Sequence, residues 1–355
     1  MSVESAEVTV ENTGESYTCP PDSALLDAAL AAGIHMPHNC RGGACGTCKA
    51  QILEGAVDHG WVMSFAITDE EKAAGYCLCC QSKPAAPRIR LRMQNEMAPR
   101  VAGEDKIVPA EIATTIISAH PVTPSVLRLC LAVPRGVRLH YRAGMDMEFL
   151  LPGLGAPRPY SIANAPGADG APVAGQLIFY IARYPDGRSS GWLHEHARIG
   201  DELALRGPYG DFGIPPQHAG AILALAGGTG LSPILAAVTD ALERGFASPV
   251  RLILSVRNRG EIFAFEELRR LAHAHQNFAF QVTLTRDPDA PDIWAQGRIP
   301  ALLTQHHPDL SAYAVLVAGS PAFVDACSET AQQQGAEPSQ IIRDSFVPRS
   351  PPATP

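Results

Sequence analysis

Apolar and polar positions alternate over Ala6–Val10 and again over Arg88–Met93, the period of a half-buried strand. Between them, residues 24–32 are an apolar run of helical character, with Ser23 placed to cap it and Gly33 to end it. Residues 1–98 therefore predict a small α+β unit. Residues 94–106 are polar, have no period and include Pro99 and Gly103, so residues 99–106 read as a linker. Over residues 107–216 short alternating runs recur between Pro/Gly turns, at 125–131, 147–151, 176–182 and 202–205. That spacing predicts an antiparallel β-barrel. The pattern then changes. Strand-like runs at 222–226, 251–256, 278–284 and 314–318 alternate with helical runs at 232–244, 263–274, 299–306 and 321–334. This predicts an α/β domain over residues 217–346, with a parallel sheet covered on both faces. Residues 347–355 hold four prolines in nine positions and predict a disordered tail.

Charge and composition remove several alternatives. With a net charge of −8 the chain has no basic stripe to neutralise phosphates, so a nucleic-acid binder is disfavoured. Residues 219–239 run 21 positions without a charge, but Gly227-Gly228-Thr229-Gly230 and Pro233 divide them into a strand and a helix, so no membrane span is expected. The acidic, polar N-terminus does not read as an export or transit signal. Nine cysteines in such a chain are expected to be reduced thiols or metal ligands in the cytoplasm.

Six of the nine cysteines fall between Cys40 and Cys80. Cys40, Cys45 and Cys48 form a C-x4-C-x2-C run, the ligand spacing of plant-type [2Fe–2S] ferredoxins, which take a fourth and more distant cysteine. Soft thiolates suit iron, and Gly42, Gly43 and Gly46 let the backbone wrap closely around negatively charged sulfides. Structural zinc usually shows two C-x2-C knuckles, and here there is one. Cys77, Cys79 and Cys80 compete for the fourth position, and those not used read as small buried hydrophobes. Cys19, Cys130 and Cys327 lie far off and read as structural. His35 and His38, beside the loop, read as surface or packing residues.

Two further patterns fit dinucleotides. Arg158-Pro159-Tyr160-Ser161 supplies a ring to pack on a flat isoalloxazine, a hydroxyl for its N5 edge and a guanidinium for a pyrophosphate. Gly187-Arg188-Ser189-Ser190 follows at the start of a helix, where small residues make a phosphate seat. Gly227-Gly228-Thr229-Gly230 then joins a strand to a helix, and Gly319-Ser320-Pro321 repeats the arrangement after a later strand. Two such turns at strand ends mark the crevice where open α/β sheets bind ligands.

In this order, the motifs resemble the ferredoxin–NADP reductase superfamily, and more narrowly the reductase components of bacterial multicomponent (Rieske-type) oxygenases. The resemblance covers nearly the whole chain. It implies a β-grasp ferredoxin domain, with Cys80 as fourth ligand because Leu78-Cys79-Cys80-Gln81 matches the Leu-x-Cys-Gln context of that ligand. It implies FAD, held by Arg158, Tyr160 and Ser161, with Gly187, Ser189 and Ser190 at its pyrophosphate and Phe346 as a candidate cover for the ring. Gly227, Gly228, Thr229 and Gly230, with Gly319, Ser320 and Pro321, would face the nicotinamide dinucleotide. Ala318 stands where many relatives carry a cysteine. The expected route is NADH to FAD to [2Fe–2S] to a terminal oxygenase component, an aromatic-ring hydroxylating dioxygenase. A di-iron monooxygenase and a deoxysugar dehydrase are other acceptors, and a redox-sensing protein is the non-enzymatic alternative. Such chemistry belongs to the cofactors and needs no acid–base pair from the chain. NADH is expected over NADPH because Glu261 follows the relevant strand, although Arg257 and Arg259 beside it could favour a 2′-phosphate. Residues 1–98 carry 12 acidic and 7 basic side chains, a charge that would steer a basic acceptor surface.

Overall fold

The computed structural model describes residues 5–64, 66–95, 107–154, 157–215, 217–307 and 309–346. The expected linker 99–106 and tail 347–355 lie outside the described residues. The chain divides into two compact units: the residues up to Ala110 together with Pro208–Asp211, and Glu111–Gly207 with Phe212–Phe346.

In the first unit a five-stranded mixed sheet is ordered Glu15–Cys19, Ala6–Val10, Arg88–Met93, Lys49–Glu54, Tyr76–Leu78. Its first and last long strands, Ala6–Val10 and Arg88–Met93, lie parallel at the centre. Arg88–Met93 keeps a strict exposed–buried alternation, so Ile89, Leu91 and Met93 face the core. The helix Leu25–Ala31 is buried through Leu25, Leu26, Ala28, Ala29 and Leu30. Ser23 does not cap it. The N-cap is Ala24, with no side-chain hydrogen bond; a second, short helix, Asp69–Ala73, carries a full capping box between Thr68 and Glu71. These elements make a β-grasp arrangement that leaves the cysteine loop between the helix Leu25–Ala31 and the strand Lys49–Glu54.

The second unit contains both remaining domains. Its first sheet has six strands ordered Arg158–Ser161, Asp146–Leu150, Glu202–Tyr209, Ala110–Thr123, Val126–Ala132, Gln176–Ala182. The ends of this order meet. The Ala163 N–H donates to the Ile178 carbonyl at 2.8 Å and the Asn164 carboxamide oxygen accepts from the Ile178 N–H at 2.8 Å, which closes the sheet into a barrel. Phe149 and Phe179 pack edge to face inside it, ring centroids 4.9 Å apart.

The second sheet is parallel throughout, ordered Ala295–Gln296, Phe278–Leu284, Val250–Val256, Ala221–Gly227, Tyr313–Gly319, Ile341–Ser345. Helices Leu231–Glu243, Phe265–Ala274, Ile299–His306 and Pro321–Gln333 join its strands, and Ala221–Gly227 is apolar almost throughout because both faces are covered. Barrel and α/β domain share one core, in which Val126, Ala163, Tyr180 and Phe212 pack with Ile222, Leu252 and Leu316. No helix among the described residues is long and apolar enough to cross a membrane.

Asn164 is the staple of the barrel closure, since its amide also donates to the Gln176 carbonyl at 3.0 Å and to the Tyr141 hydroxyl at 3.2 Å. Asn164→Ala leaves these half-buried groups unmatched and is expected to cost about 1–3 kcal/mol. A lowered denaturation midpoint, followed by flavin release, is the measurement; an unchanged midpoint would mean that the closure stands without it.

Candidate cofactor-binding sites

The cysteine loop follows the helix Leu25–Ala31 and leads into the strand Lys49–Glu54. Gly43 turns it at a φ of +75°, where a β-carbon would also lie 2.7 Å from the Trp61 carbonyl oxygen. The Gly43 carbonyl in turn accepts from the Met63 N–H at 3.0 Å. The loop is tied to the fourth-cysteine segment at two points. The Gln81 carboxamide donates to the Arg41 carbonyl at 3.0 Å, and the Cys79 N–H donates to the Cys48 carbonyl at 3.1 Å. Gln81 was not singled out by sequence, though it sits in the Leu-x-Cys-Gln context that drew attention to Cys80.

These ties bring the thiols of Cys40, Cys45, Cys48 and Cys80 together. Cys40 interacts with Cys45 and Cys80, and Cys80 with Cys48 and Cys45. A hydrogen bond with Cys40, followed by the Thr47 hydroxyl and backbone N–H, holds Cys45 down at about 6 despite its burial. Cys40 and Cys80 are pushed well up, first by hydrogen bonds to their neighbouring thiols and then by burial. Four thiols this close, two of them buried and two half-buried, cannot all ionise beside one another unless cationic iron shares the space, so the donor set suits a thiolate-ligated metal. Cys77 and Cys79 are fully buried next to this group and interact with each other. Cys19, Cys130 and Cys327 are buried elsewhere, and burial raises each thiol.

His38 is more than a packing residue. Its Nδ1 meets the Met36 carbonyl at 2.7 Å and its Nε2 accepts from the Gly210 N–H at 2.9 Å, Gly210 belonging to the same compact unit. Burial pushes its pKa down to about 4, so the ring is neutral, as the accepting nitrogen requires.

In the barrel, the strand Arg158–Ser161 pairs with Asp146–Leu150, placing Tyr160 opposite Met147 and Ser161 opposite Asp146. All four of its residues are half-buried, so side chains are neither lost in the core nor free in solvent. The Tyr160 ring packs on Phe149, centroids 4.7 Å apart, and burial raises its phenol so that it stays a protonated donor. Gly187 is the N-cap of the helix Arg188–His196, with no side-chain cap to occupy the first N–H groups. Ser190 is spent locally: its hydroxyl donates to the Gly187 carbonyl at 3.2 Å and accepts from the Tyr184 N–H at 3.3 Å. Ser189 is buried beside it.

The two glycine turns of the α/β domain touch. Ala226 and Ala318 are register partners on adjacent parallel strands, and Gly230 packs so closely that a β-carbon would stand 2.0 Å from the Ala318 carbonyl oxygen. The Phe323 ring fills the space against Gly227 and Gly319; no sequence signal pointed to it. Ser320 is the N-cap and Pro321 the first residue of the helix Pro321–Gln333. The Phe346 N–H donates to the Gly319 carbonyl at 2.8 Å, which holds Phe346 beside the second turn. A cavity of about 250 Å³ opens next to these turns, lined among others by Ser255, Arg257, Thr285, Arg286, Arg298 and Ser320.

Comparison with known families and structures agrees with this geometry. Residues 8–85 match the 2Fe-2S iron-sulfur cluster binding domain, residues 113–214 the oxidoreductase FAD-binding domain and residues 224–329 the oxidoreductase NAD-binding domain. The chain is 31% identical to the reductase subunit of an aromatic O-demethylase from Amycolatopsis, over 95% of this chain and 98% of that one. It is 30% identical to the reductase component of a propane 2-monooxygenase from Gordonia, over 92% of each. Among solved structures, an Amycolatopsis cytochrome P450 reductase superposes with a TM-score of 0.82 at 30% identity, covering 97% of this chain and 99% of that one. The ferredoxin reductase in carbazole 1,9a-dioxygenase superposes at 0.73 with 26% identity, covering 97% and 98%.

Gly230→Ala is expected to drive the two turns apart, since overpacking of backbone on backbone costs about 1–3 kcal/mol or more. The KM for the nicotinamide dinucleotide should then rise by about tenfold or more, while iron content is unchanged. A variant with wild-type KM would show that the turns need not touch.

Proposed function

The chain belongs to the family of iron–sulfur flavoprotein reductases that serve oxygenases, and from that premise we propose that it passes electrons from NADH through FAD and a [2Fe–2S] cluster to a terminal oxygenase component. The observation that carries the reading is the meeting of four thiols in a domain of the [2Fe–2S] family, on a chain that also carries flavin and nucleotide domains. When bound, the flavin and the cluster supply the conversion of a two-electron hydride into single electrons.

The chain's own residues position and insulate. Cys40, Cys45, Cys48 and Cys80 would hold the iron, Gln81 ties down their loop through the Arg41 carbonyl, and Cys77 and Cys79 pack beside them. Arg158 and the N–H groups at the start of Arg188–His196 would take the flavin pyrophosphate, and Tyr160, kept protonated by its burial, would hold the ring together with Ser161. Gly227 to Gly230 and Gly319 to Pro321 seat the nicotinamide dinucleotide, and Phe346 stands beside them as a cover. NADH is the preferred donor. The two arginines that follow the strand Val250–Val256 are each held by a carboxylate, Arg257 by Glu261 at 2.5 Å and Arg259 by Asp287 at 3.3 Å, which supports this preference. None of the nine cysteines is paired in a disulfide, which fits a reducing compartment such as the cytoplasm.

The acceptor is an oxygenase component. An aromatic-ring dioxygenase fits the resemblance to the carbazole 1,9a-dioxygenase reductase, and a monooxygenase fits the relatives named for propane oxidation and O-demethylation. Turnover of each oxygenase class with the purified reductase and NADH, followed by product formation, decides between them.

Cys80→Ser should remove the cluster while Cys77→Ser and Cys79→Ser leave it in place, as four thiolates hold the iron. Iron and sulfide content together with the rhombic electron paramagnetic resonance of the reduced protein report this. NADH should still reduce the flavin in the Cys80 variant, and full iron content there would sink the assignment.

Raising ionic strength from about 0.01 to 0.15 M shortens the screening length from about 30 to 8 Å. Reduction of the cognate oxygenase should slow several-fold as the acidic first unit loses its steering, with NADH-to-flavin transfer almost unchanged. Equal salt sensitivity of both steps would show that docking does not depend on these carboxylates.

A further inference from the structure

We propose that Asp211 is a positioning residue for the iron–sulfur cluster: with Tyr209 and Gly210 it clamps the residues on both sides of Cys40, so that a segment far along the chain completes the cysteine loop. The inference rests on the reading of Cys40, Cys45, Cys48 and Cys80 as the iron ligands and names what holds the first of them in place.

Pro208–Asp211 belong to the first compact unit, although every other described residue after Ala110 belongs to the second. Tyr209 shares the apolar core of that first unit with Met36, Cys48 and Cys80. The His38 N–H donates to the Asp211 carboxylate at 2.9 Å, and the Asp211 N–H donates back to the Asn39 carboxamide oxygen at 2.8 Å. The Gly210 N–H donates to His38 Nε2 at 2.9 Å, and the other oxygen of Asp211 lies 3.2 Å from His35 Nε2. The Arg41 guanidinium stands over the Tyr209 ring, 3.5 Å from its centroid. His38, Asn39 and Arg41 thus all reach this segment, and Cys40 lies between the last two.

Arg41 has particular need of such support. Its φ of +46° is left-handed, and a side chain with a β-carbon stays there only where its surroundings hold it. The clamp also extends to a second ligand. Asn39 donates through its amide to the Thr47 hydroxyl at 3.3 Å, and the Thr47 hydroxyl and N–H in turn meet Cys45. A chain of polar contacts therefore runs from Asp211 through Asn39 and Thr47 to the Cys45 thiol. Outer partners of this kind orient metal ligands and are worth about 10- to 100-fold in metal affinity. His35, His38 and Asp211 also stand close enough together to hold a cation. Both ring nitrogens of His38 are taken, however, by the Met36 carbonyl and the Gly210 N–H, so the ring has no lone pair left for an ion.

The test compares full-length holoprotein as wild type, Asp211→Ala and Asp211→Asn, the asparagine keeping an oxygen that accepts from the His38 N–H. Flavin content serves as the folding check. Iron release to excess chelator should be about tenfold or more faster in Asp211→Ala, and within about threefold of wild type in Asp211→Asn. The rhombic electron paramagnetic resonance of the reduced protein should broaden in Asp211→Ala, as Cys40 takes up several positions, and keep its width in Asp211→Asn. Amide hydrogen exchange in Asp211→Ala should quicken over residues 36–41 and stay unchanged in the helix Leu25–Ala31 and the strand Arg88–Met93. Asn39→Ala cuts the same chain of contacts, so the double variant with Asp211→Ala should fall short of the product of the two single effects on iron release. Wild-type release and line width in Asp211→Ala would overturn the proposal. So would an Asp211→Asn variant as impaired as Asp211→Ala, which would assign the effect to charge, or exchange raised throughout the unit, which would make Asp211 a general support of the fold. Wild-type protein that takes up no iron would refute the cluster reading, and the proposal with it.

Discussion

Every group that this chain is built to hold is rich in negative charge: thiolates and sulfides at the iron, pyrophosphates on both dinucleotides. The chain itself carries a net charge of −8, so no general positive field assists them. Each site has to make its own field, and it does so mainly with backbone N–H groups. The helices Arg188–His196 and Pro321–Gln333 start without a side-chain cap, which leaves their first N–H groups for a ligand. Backbone donors act only at contact distance. That requirement strips β-carbons from the turns, as at Gly43 against Trp61 and Gly230 against Ala318.

Several side-chain cations are cancelled by a neighbouring carboxylate. Arg206 pairs with the buried carboxylate of Glu148 at 2.8 Å, Arg257 with Glu261 and Arg259 with Asp287. A buried carboxylate without its arginine would be strongly destabilising, so Arg206 is committed to the barrel.

Hydride transfer demands that two rings be held at contact by domains of different architecture. The shared core meets that demand. The Tyr180 hydroxyl on the barrel donates to Glu267 on the helix Phe265–Ala274 at 2.8 Å, and its ring packs on Phe263 at 4.9 Å. Burial raises the Tyr180 phenol, so it remains the donor to that carboxylate. Polar clamp and apolar packing act on one residue, which makes the joint both oriented and dry.

The sequence alone was enough for whatever depends on local period or on residues close together in the chain. The β/α alternation after residue 217 produced four strands and four helices within a residue or two of those observed, because buried parallel strands and amphipathic helices have distinct periods, but it missed the edge strands Ala295–Gln296 and Ile341–Ser345. The C-x4-C-x2-C run identified the iron chemistry because its three cysteines fall within nine consecutive residues. Where periodicity breaks, the reading failed. The 14-residue strand Ala110–Thr123 shifts register at Ile116/Ser118 and at Pro121/Thr123, and each bulge flips the inward face. Tertiary structure decided the rest. Ser23 and Thr68 are both plausible caps by composition, and only Thr68 makes the bond. Arg257, Arg259, Arg286 and Arg298 look alike as letters, yet only the first two are paired with carboxylates among the described residues. Whether a charge is free depends on which opposite charge folds against it, and that is a property of distances in space, which no local pattern encodes.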